Sequence, residues 1–438
     1  MGSFFKRVIQ KIWKLLLPFL RVLRGKYRRY VLVPDRRVLG PNIPLAMITG
    51  TKGKTTTTRM LAHILTKAGH VVGFATTDGV VVNGEYINHS DASDYYGAHT
   101  VLTHPSVTAA VLETARGGLL KFGLYRDRCN VAALLNVGKE QIGIEGIDTL
   151  EQMAALKQRV INAAREAVVL NADDALCVGM IGQYRKLRVI LFSMDPQNQI
   201  VHEHLQNGGT AYVLNKSKEE ECIERWDQNS KEPFISISEL PTAANGMFPQ
   251  NIANAMAAAA LAEGMGIPLE TIKEGLHSFR NSLEQSGGRL HFIEGYTQTI
   301  LLDFLATVPA SIALAESLER IEVRGRRICM CTTPGDRQHW HYTEIGEALG
   351  SHFDHFICFD VAHYRRGRAP GEISDLLKSA FVTAGVSPEC IDTAREYTDA
   401  TKQLSRVVGK NDLVVILMPS THKFMPVFRE HFAMHKIT

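Results

Sequence analysis

The stretch "ITGTKGKTTTT", residues 48–58, constrains the fold of this chain more than any other. Before it, "PLAMIT" (44–49) reads as a short buried strand. After it, "TRMLAHILTKAG" (58–69) carries Met60, Leu61, Ile64, Leu65 and Ala68 at helical spacing, and Gly69 supplies a stop. A glycine turn between a strand and a helix is the setting a phosphate loop requires. Gly50 and Gly53 let backbone N–H groups approach phosphate oxygens, and Lys54 adds a mobile positive charge. Thr55 can place a hydroxyl on magnesium, and a helix N-terminus favours an anion. The loop is the shorter Gly-x-x-Gly-Lys-Thr form, because Ile48 stands where the longer pattern has glycine. The cradle comprises Gly50, Thr51, Lys52, Gly53, Lys54, Thr55 and Thr56.

The alternation continues. "HVVGFATT" (70–77), "TAAVLET" (108–114), "VAALLNV" (131–137) and "EAVVLNADD" (166–174) are strand-like, with helical stretches between several of them. This predicts an α/β chain with a P-loop-type central domain built on a mostly parallel sheet. "RICMCTT" (327–333), "HFICFD" (355–360) and "DLVVILMP" (412–419) predict a smaller Rossmann-like α/β domain at the C-terminal end. The expected parts are residues 1–45, a basic amphipathic extension; 46–285, the ATP-binding domain; and 286–438, the closing domain. Residues 195–245 are less periodic and read as a small β-rich insertion. In such sheets ligands bind beyond the carboxyl ends of the strands. Thr76, Thr77, Glu113 and Asn136 fall at those ends, and Thr55, Thr77 and Glu113 make a candidate magnesium site.

The net charge of +4 over 438 residues gives no case for nucleic acid as the partner. That charge is unevenly placed, since no acid precedes Asp35. Residues 3–29 pattern as an amphipathic helix interrupted at Pro18, with Phe5, Ile9, Ile12, Leu16 and Phe19 on one face. Its apolar run is too short to span a bilayer, and no small-residue cleavage pattern follows. It packs on protein, lies on an anionic membrane surface, or targets the chain. The seven cysteines form no Cys-x-x-Cys pair and read as buried thiols of a reducing, cytoplasmic setting. "HEH" (202–204) and "HWH" (339–341) read as surface histidines.

At this point the residues resemble a known family. "GTKGKTTTT", "TTDGVVVNGEYI", "VLETARGGLLKFGL", "GIEGIDTLEQMAALK" and "VLNADDALCVGM" look like the Mur ligases, more narrowly the Mur-like module of cyanophycin synthetase. The likeness runs through "NIANAMAAAALAEG", "GGRLHF", "PGDR" and "RRGRAPGEISDLL". It implies an ATP- and magnesium-dependent ligase that turns a carboxylate into an acyl phosphate and joins it to the amine of an amino acid or short peptide. It also implies a homo-oligomer. Lys54, Glu113 and Lys157 would serve catalysis. Lys157 matches a lysine that many Mur ligases carbamylate to support a metal, and an ordinary solvated helix lysine is the alternative. Asn251 would lie near the adenine, Arg289 would reach the nucleotide from the domain junction, and Asp303 would adjoin it. Arg116, Arg337 and Arg366 are candidates for holding substrate. Only about 45 residues precede the phosphate loop, too few for an ATP-grasp module or a nucleotide-sugar domain. The carboxylate substrate is therefore expected on the remaining domains or on a partner.

Three departures from the family stand out. Glu140 and Gln141 replace an Asp-His pair whose His is commonly a metal ligand. Ala306, in "LLDFLATVPAS", stands where a His is expected, beside a retained Asp303. After "PGDR" the chain reads "QHWHYTEI" where the related module has several acids, which puts an arginine substrate in doubt. An active ligase with altered metal use and a catalytically reduced ATP-binding partner, scaffold or regulator are both compatible with these changes.

Overall fold

The computed structural model of the protein describes residues 43–437 apart from 141, 217–219, 305 and 420. The amphipathic segment 3–29 and the replacement at Gln141 lie outside the described residues.

Among the described residues eleven strands form the larger sheet. In chain order they are β1 (Leu45–Thr49), β2 (Val72–Thr76), β3 (Gly79–Val82), β4 (Glu85–Asn88), β5 (Ala109–Glu113) and β6 (Cys129–Leu134). They continue as β7 (Ala164–Asn171), β8 (Arg188–Ser193), β9 (Thr210–Asn215), β10 (Cys222–Trp226) and β11 (Lys231–Ser236). The spatial order is β11-β10-β9-β8-β7-β6-β1-β5-β2-β3-β4. The run from β9 to β2 is parallel, and an antiparallel hairpin closes each margin. From β1 the chain leaves towards β2 on one side, and from β6 onward it builds on the other. The carboxyl ends of β1 and β6 therefore flank the switch point where a ligand crevice opens. Every residue of β1 is buried, as expected of a strand covered on both faces.

Among the described residues eight helices accompany this sheet: α1 (Lys54–Lys67), α2 (Tyr95–Leu102), α3 (Arg116–Lys121), α4 (Leu150–Ile161), α5 (Ala175–Val178), α6 (Gln199–Gln206), α7 (Pro249–Gly264) and α8 (Leu269–Ser278). α1, α7 and α8 share one core; α2, α4 and α6 share the other. In α7, Ala255 and Ala257 to Ala260 are fully buried, and side chains this small let the helix lie between α1 and β7 and β8.

The smaller sheet has six strands: β12 (His291–Ile293), β13 (Thr299–Asp303), β14 (Arg327–Cys331), β15 (His355–Phe359), β16 (Ile391–Ala394) and β17 (Leu413–Leu417). Their order is β12-β13-β17-β14-β15-β16, parallel except for β12. α9 (Val308–Leu318), α10 (His339–Leu349) and α11 (Glu372–Thr383) cover one face. α12 (Tyr397–Val407) and α13 (Thr421–His431) cover the other. The three segments expected as strands here form β14, β15 and β17. Phe248, at the start of α7, is buried in this smaller core and stacks on Phe292. Among the described residues no helix is long and apolar enough to cross a membrane.

One expectation is corrected. Residues 195–245 are not a separate insertion. β9 continues the parallel sheet, and the β10–β11 hairpin extends it. The sequence signal is weak because Pro233, opposite Glu224, has no N–H to give the ladder, and the register shifts beside it, between Ile223 and Glu224. A buried carboxylate compensates. Glu263, near the end of α7, accepts from Tyr212 Oη at 2.7 Å and from Arg225 at 2.9 and 3.1 Å, and Arg188 pairs with it. Burial alone raises its carboxyl, but the hydrogen bonds from Arg225 and Tyr212 outweigh that and hold it below its ordinary value.

A Glu263→Gln variant should lose about 2 kcal/mol of stability at neutral pH, as expected for charged hydrogen bonds. The loss should shrink as pH falls below the ordinary 4.5 and through the depressed native value, because the paired carboxylate stabilises only while ionised. Urea denaturation of both proteins across acidic pH checks this.

Candidate active site

The phosphate loop closes tightly. Gly53 caps α1 at φ +85°, and a Cβ there would come within 2.3 Å of Asn254 Oδ1. Glycine is therefore required on backbone and packing grounds together. No side chain caps α1, which leaves its first-turn N–H groups to an anion. Asn136, just past β6, braces the loop from behind: its Oδ1 accepts from the N–H groups of Thr51 and Lys52 at 2.9 Å each. Gly138 N–H donates to Thr51 Oγ1 at 2.8 Å, and Lys54 Nζ donates to the Thr51 carbonyl at 3.1 Å.

The three residues read as a magnesium site converge. Glu113, buried at the end of β5, accepts from Thr55 Oγ1 at 2.8 Å and from Thr77 Oγ1 at 3.0 Å. The Thr77 N–H adds a bond of 3.2 Å. An all-oxygen set with one carboxylate suits a magnesium ion that keeps water and phosphate ligands. Among the described residues no cluster of three His, Cys, Asp or Glu makes a cage for a metal.

Lys157 is not a solvated helix lysine. A capping box from Thr149 and Gln152 starts α4, and the helix turns Lys157 inward with Met153, Leu156 and Val160. Its Nζ donates to the Gly50 carbonyl at 2.8 Å. Burial, with the charges of Lys54 and Arg116 nearby, drives its ammonium well below the ordinary lysine range.

The remaining candidates are more scattered. Asn251 donates to the Thr242 carbonyl at 2.9 Å and accepts from Asn254, which in turn accepts from Thr57 Oγ1. Arg289 forms a fork with Asp78, at 2.9 and 3.1 Å, and lies over the Phe304 ring. Arg59, on α1, shares Asp78 and donates to Tyr86 Oη at 2.6 Å. Asp303 accepts from the Leu290 N–H at 3.2 Å; burial pushes its carboxyl up against the pull of Phe304 N–H and Arg289. Arg116 is turned onto the Ile144 carbonyl and Glu145. Arg337 and Arg366 share Asp336, at 3.1 and 2.5 Å, on the smaller sheet's side of the cleft.

Two histidine expectations need correction. His339 is exposed, but His341 is 1% exposed and faces Glu140. It falls on the inner face of α10 with Tyr342, Ile345 and Leu349. His202 and His204 are half-buried and bond to backbone carbonyls of Pro196 and Val189. Ala306 is buried in the smaller core, and its N–H donates to the Thr332 carbonyl at 3.0 Å. Sequence reasoning missed Asp78 and Asn254. Asp78 reads as a turn residue ahead of Gly79, and Asn254 hides in an alanine-rich helix.

Residues 48–262 match the family model for the Mur ligase middle domain. A cyanophycin synthetase from Trichormus variabilis is 34% identical over 393 residues, which cover 88% of this chain and 42% of that protein. The chain thus spans less than half the length of that curated relative. A UDP-N-acetylmuramoyl-L-alanyl-D-glutamate–2,6-diaminopimelate ligase from Caldanaerobacter subterraneus is 25% identical, over 85% of this chain and 72% of that one. Among solved structures, a bifunctional folylpolyglutamate synthase/dihydrofolate synthase with Mn, AMPPNP and L-glutamate bound superposes with a TM-score of 0.63. That match covers 95% of this chain and 93% of the other at 20% identity, and it shows the fold.

The Lys157 ammonium opposes folding while it is charged. The wild type should therefore gain stability relative to a Lys157→Met variant as pH rises through the depressed native value towards the ordinary 10.5. Melting temperatures of the two proteins across neutral to alkaline pH check the sign.

Proposed function

Residues 48–262 belong to the Mur ligase middle-domain family, and on that premise we propose that the protein is an ATP- and magnesium-dependent ligase. It joins a carboxylate to the amine of an amino acid or short peptide. The observation that carries the reading is Glu113, gripped by Thr55 and Thr77 from two other elements at the mouth of the phosphate loop.

The substrate carboxylate attacks the γ-phosphorus, ADP leaves, and an acyl phosphate forms. The amine then attacks the acyl carbon, phosphate leaves, and the nitrogen gives up a proton. Such chemistry needs positioning and charge neutralisation more than covalent help from the protein. The loop N–H groups and Lys54 hold the phosphates in this reading. Glu113, Thr55 and Thr77 would hold magnesium, which neutralises phosphoryl oxygens when bound. Lys157, its basicity lowered by burial and by the charges of Lys54 and Arg116, is the lysine that carbamylation would modify in this reading. Arg289 feels the charges of Asp303 and Glu113, and in this reading it would turn from Asp78 to the nucleotide. Arg116, Arg337 and Arg366 are the anchors for substrate anions. Seven free thiols, six of them buried, support a cytoplasmic setting for this chemistry. A homo-oligomer, and contact of residues 3–29 with protein or a membrane surface, belong to the same proposal.

A second reading draws on Ala306, which is packed into the core where the family places a His. In that reading the protein binds ATP and acts as a partner, scaffold or regulator.

ADP release from magnesium–ATP, with short β-aspartyl peptides and a panel of amino acids, separates the two. Ligation predicts release that needs both a carboxylate and an amine and falls by about 100-fold or more in Lys54→Ala. Heat protection by ATP without release from any pair would favour the binding role. The absence of both would overturn the proposal.

A further inference from the structure

We propose that Arg116 and Lys121 form a seat for a substrate carboxylate, and that Glu145 occupies this seat as an internal stand-in until the substrate displaces it. The seat rests on geometry; that its ligand is the carboxylate to be activated rests on the ligase reading.

Arg116 opens α3, just past Glu113 at the end of β5. The residues between are pinned. Thr114 N–H donates to the Ile48 carbonyl at 2.8 Å, and Thr49 Oγ1 donates to the Thr114 carbonyl at 2.9 Å. Ala115 N–H donates to the Ser93 carbonyl at 3.0 Å. The guanidinium is therefore fixed at the carboxyl edge of the larger sheet. Its charge helps to lower the Lys157 ammonium, whose Nζ holds the Gly50 carbonyl.

Arg116 is 5% exposed, and a cation so buried needs its N–H groups answered. Nη2 donates to the Ile144 carbonyl, Nη1 reaches Glu145 Oε2 at 3.3 Å, and Nε makes no hydrogen bond. Lys121 Nζ lies 3.6 Å from Glu145 Oε1. One carboxylate thus serves two cations, and both separations are longer than a charge-assisted hydrogen bond prefers.

The turn that delivers Glu145 is tight. Gly143 N–H donates to the Ile147 carbonyl at 2.7 Å, and Ile144 bridges to Ile147. Gly143, Glu145 and Gly146 have φ of +77°, +54° and +78°. Glycine adopts that region freely, whereas a residue with a Cβ is disfavoured there. Glu145 keeps it at the tip of the turn, with its side chain 44% exposed. Of the two partners, the buried guanidinium is fixed and the half-exposed carboxylate on a strained turn is exchangeable. A substrate carboxylate replaces it like for like, and its apparent affinity is lowered by the fraction of seats that Glu145 fills.

Propionate carries the terminal group of a glutamate side chain and probes the seat directly. Glu145→Gly removes the carboxylate and suits the backbone at φ +54°. Melting temperatures are read in sodium propionate against sodium chloride of equal ionic strength. Propionate should raise the Tm of Glu145→Gly, should leave the wild type at its chloride value, and should lose its effect when Arg116→Met is added. If that double variant does not fold, Glu145→Gly with Lys121→Met, a change at an exposed side chain, should show a smaller gain. An equal response of Glu145→Gly and wild type, or a gain that neither second change reduces, overturns the seat. ADP release then tests the stand-in. In Glu145→Gly the KM for the carboxylate substrate should fall by about 2- to 5-fold, the range that an ion pair of this exposure supports, with the KM for ATP unmoved. An unchanged or raised carboxylate KM removes the stand-in role. If the wild type releases no ADP with any pair, the ligase reading fails, and the propionate comparison still decides whether Arg116 and Lys121 seat a carboxylate.

Discussion

The contact between the bare Cα of Gly53 and the Asn254 amide fixes the rest of the site. It sets how closely α1 and α7 approach, and with that the height of the phosphate loop above the sheet. A side chain at residue 53 would have to displace an amide that also holds Thr57 and Asn251. From this one approach the loop's N–H groups, the hydroxyl of Thr55 and the carboxylate of Glu113 all take their places. The strand ends supply the positions, and the glycine decides whether they meet.

Around that point the chain gathers charge that would be unfavourable elsewhere. Glu113 is satisfied by hydroxyls, Asp78 by two guanidinium groups, and Glu140 by an arginine across the cleft. Lys157 donates to a carbonyl rather than to a carboxylate among the described residues, and has its basicity suppressed instead. Buried ionic groups hold where each has a partner, and the exceptions cluster where a reaction would need them. The departures from the family follow the same logic. Ala306 fits an apolar core, and Glu140 faces cations on the other unit.

Much of this was legible in the sequence because it depends on short-range pattern. The run "LAMIT" gives a strand buried on both faces, and the glycines and hydroxyls after it give an anion-binding turn. Thr55, Thr77 and Glu113 could be grouped because strand ends in a parallel sheet share one edge. What escaped depends on tertiary partners. The hairpin β10–β11 looked irregular because Pro233 disturbs its ladder and Glu263, far along the chain, holds it in place. His341 looked like a surface residue because "HWH" has no apolar period of its own, and the inner face of α10 is set by residues after it. Lys157 was ambiguous because a charged side chain on an amphipathic helix normally faces water. Asp78 read as turn chemistry, and its arginines lie 19 residues away in one direction and 211 in the other.

The alanines of α7 have a thermodynamic side. Burying alanine removes no rotamer freedom, so this helix is ordered at little side-chain entropy while leucine or methionine would each forfeit some. The cradle is thus anchored on a helix whose buried alanines have no side-chain conformations to redistribute. Strain applied at the phosphate loop passes into backbone and amide contacts, which carry it across to the strands behind.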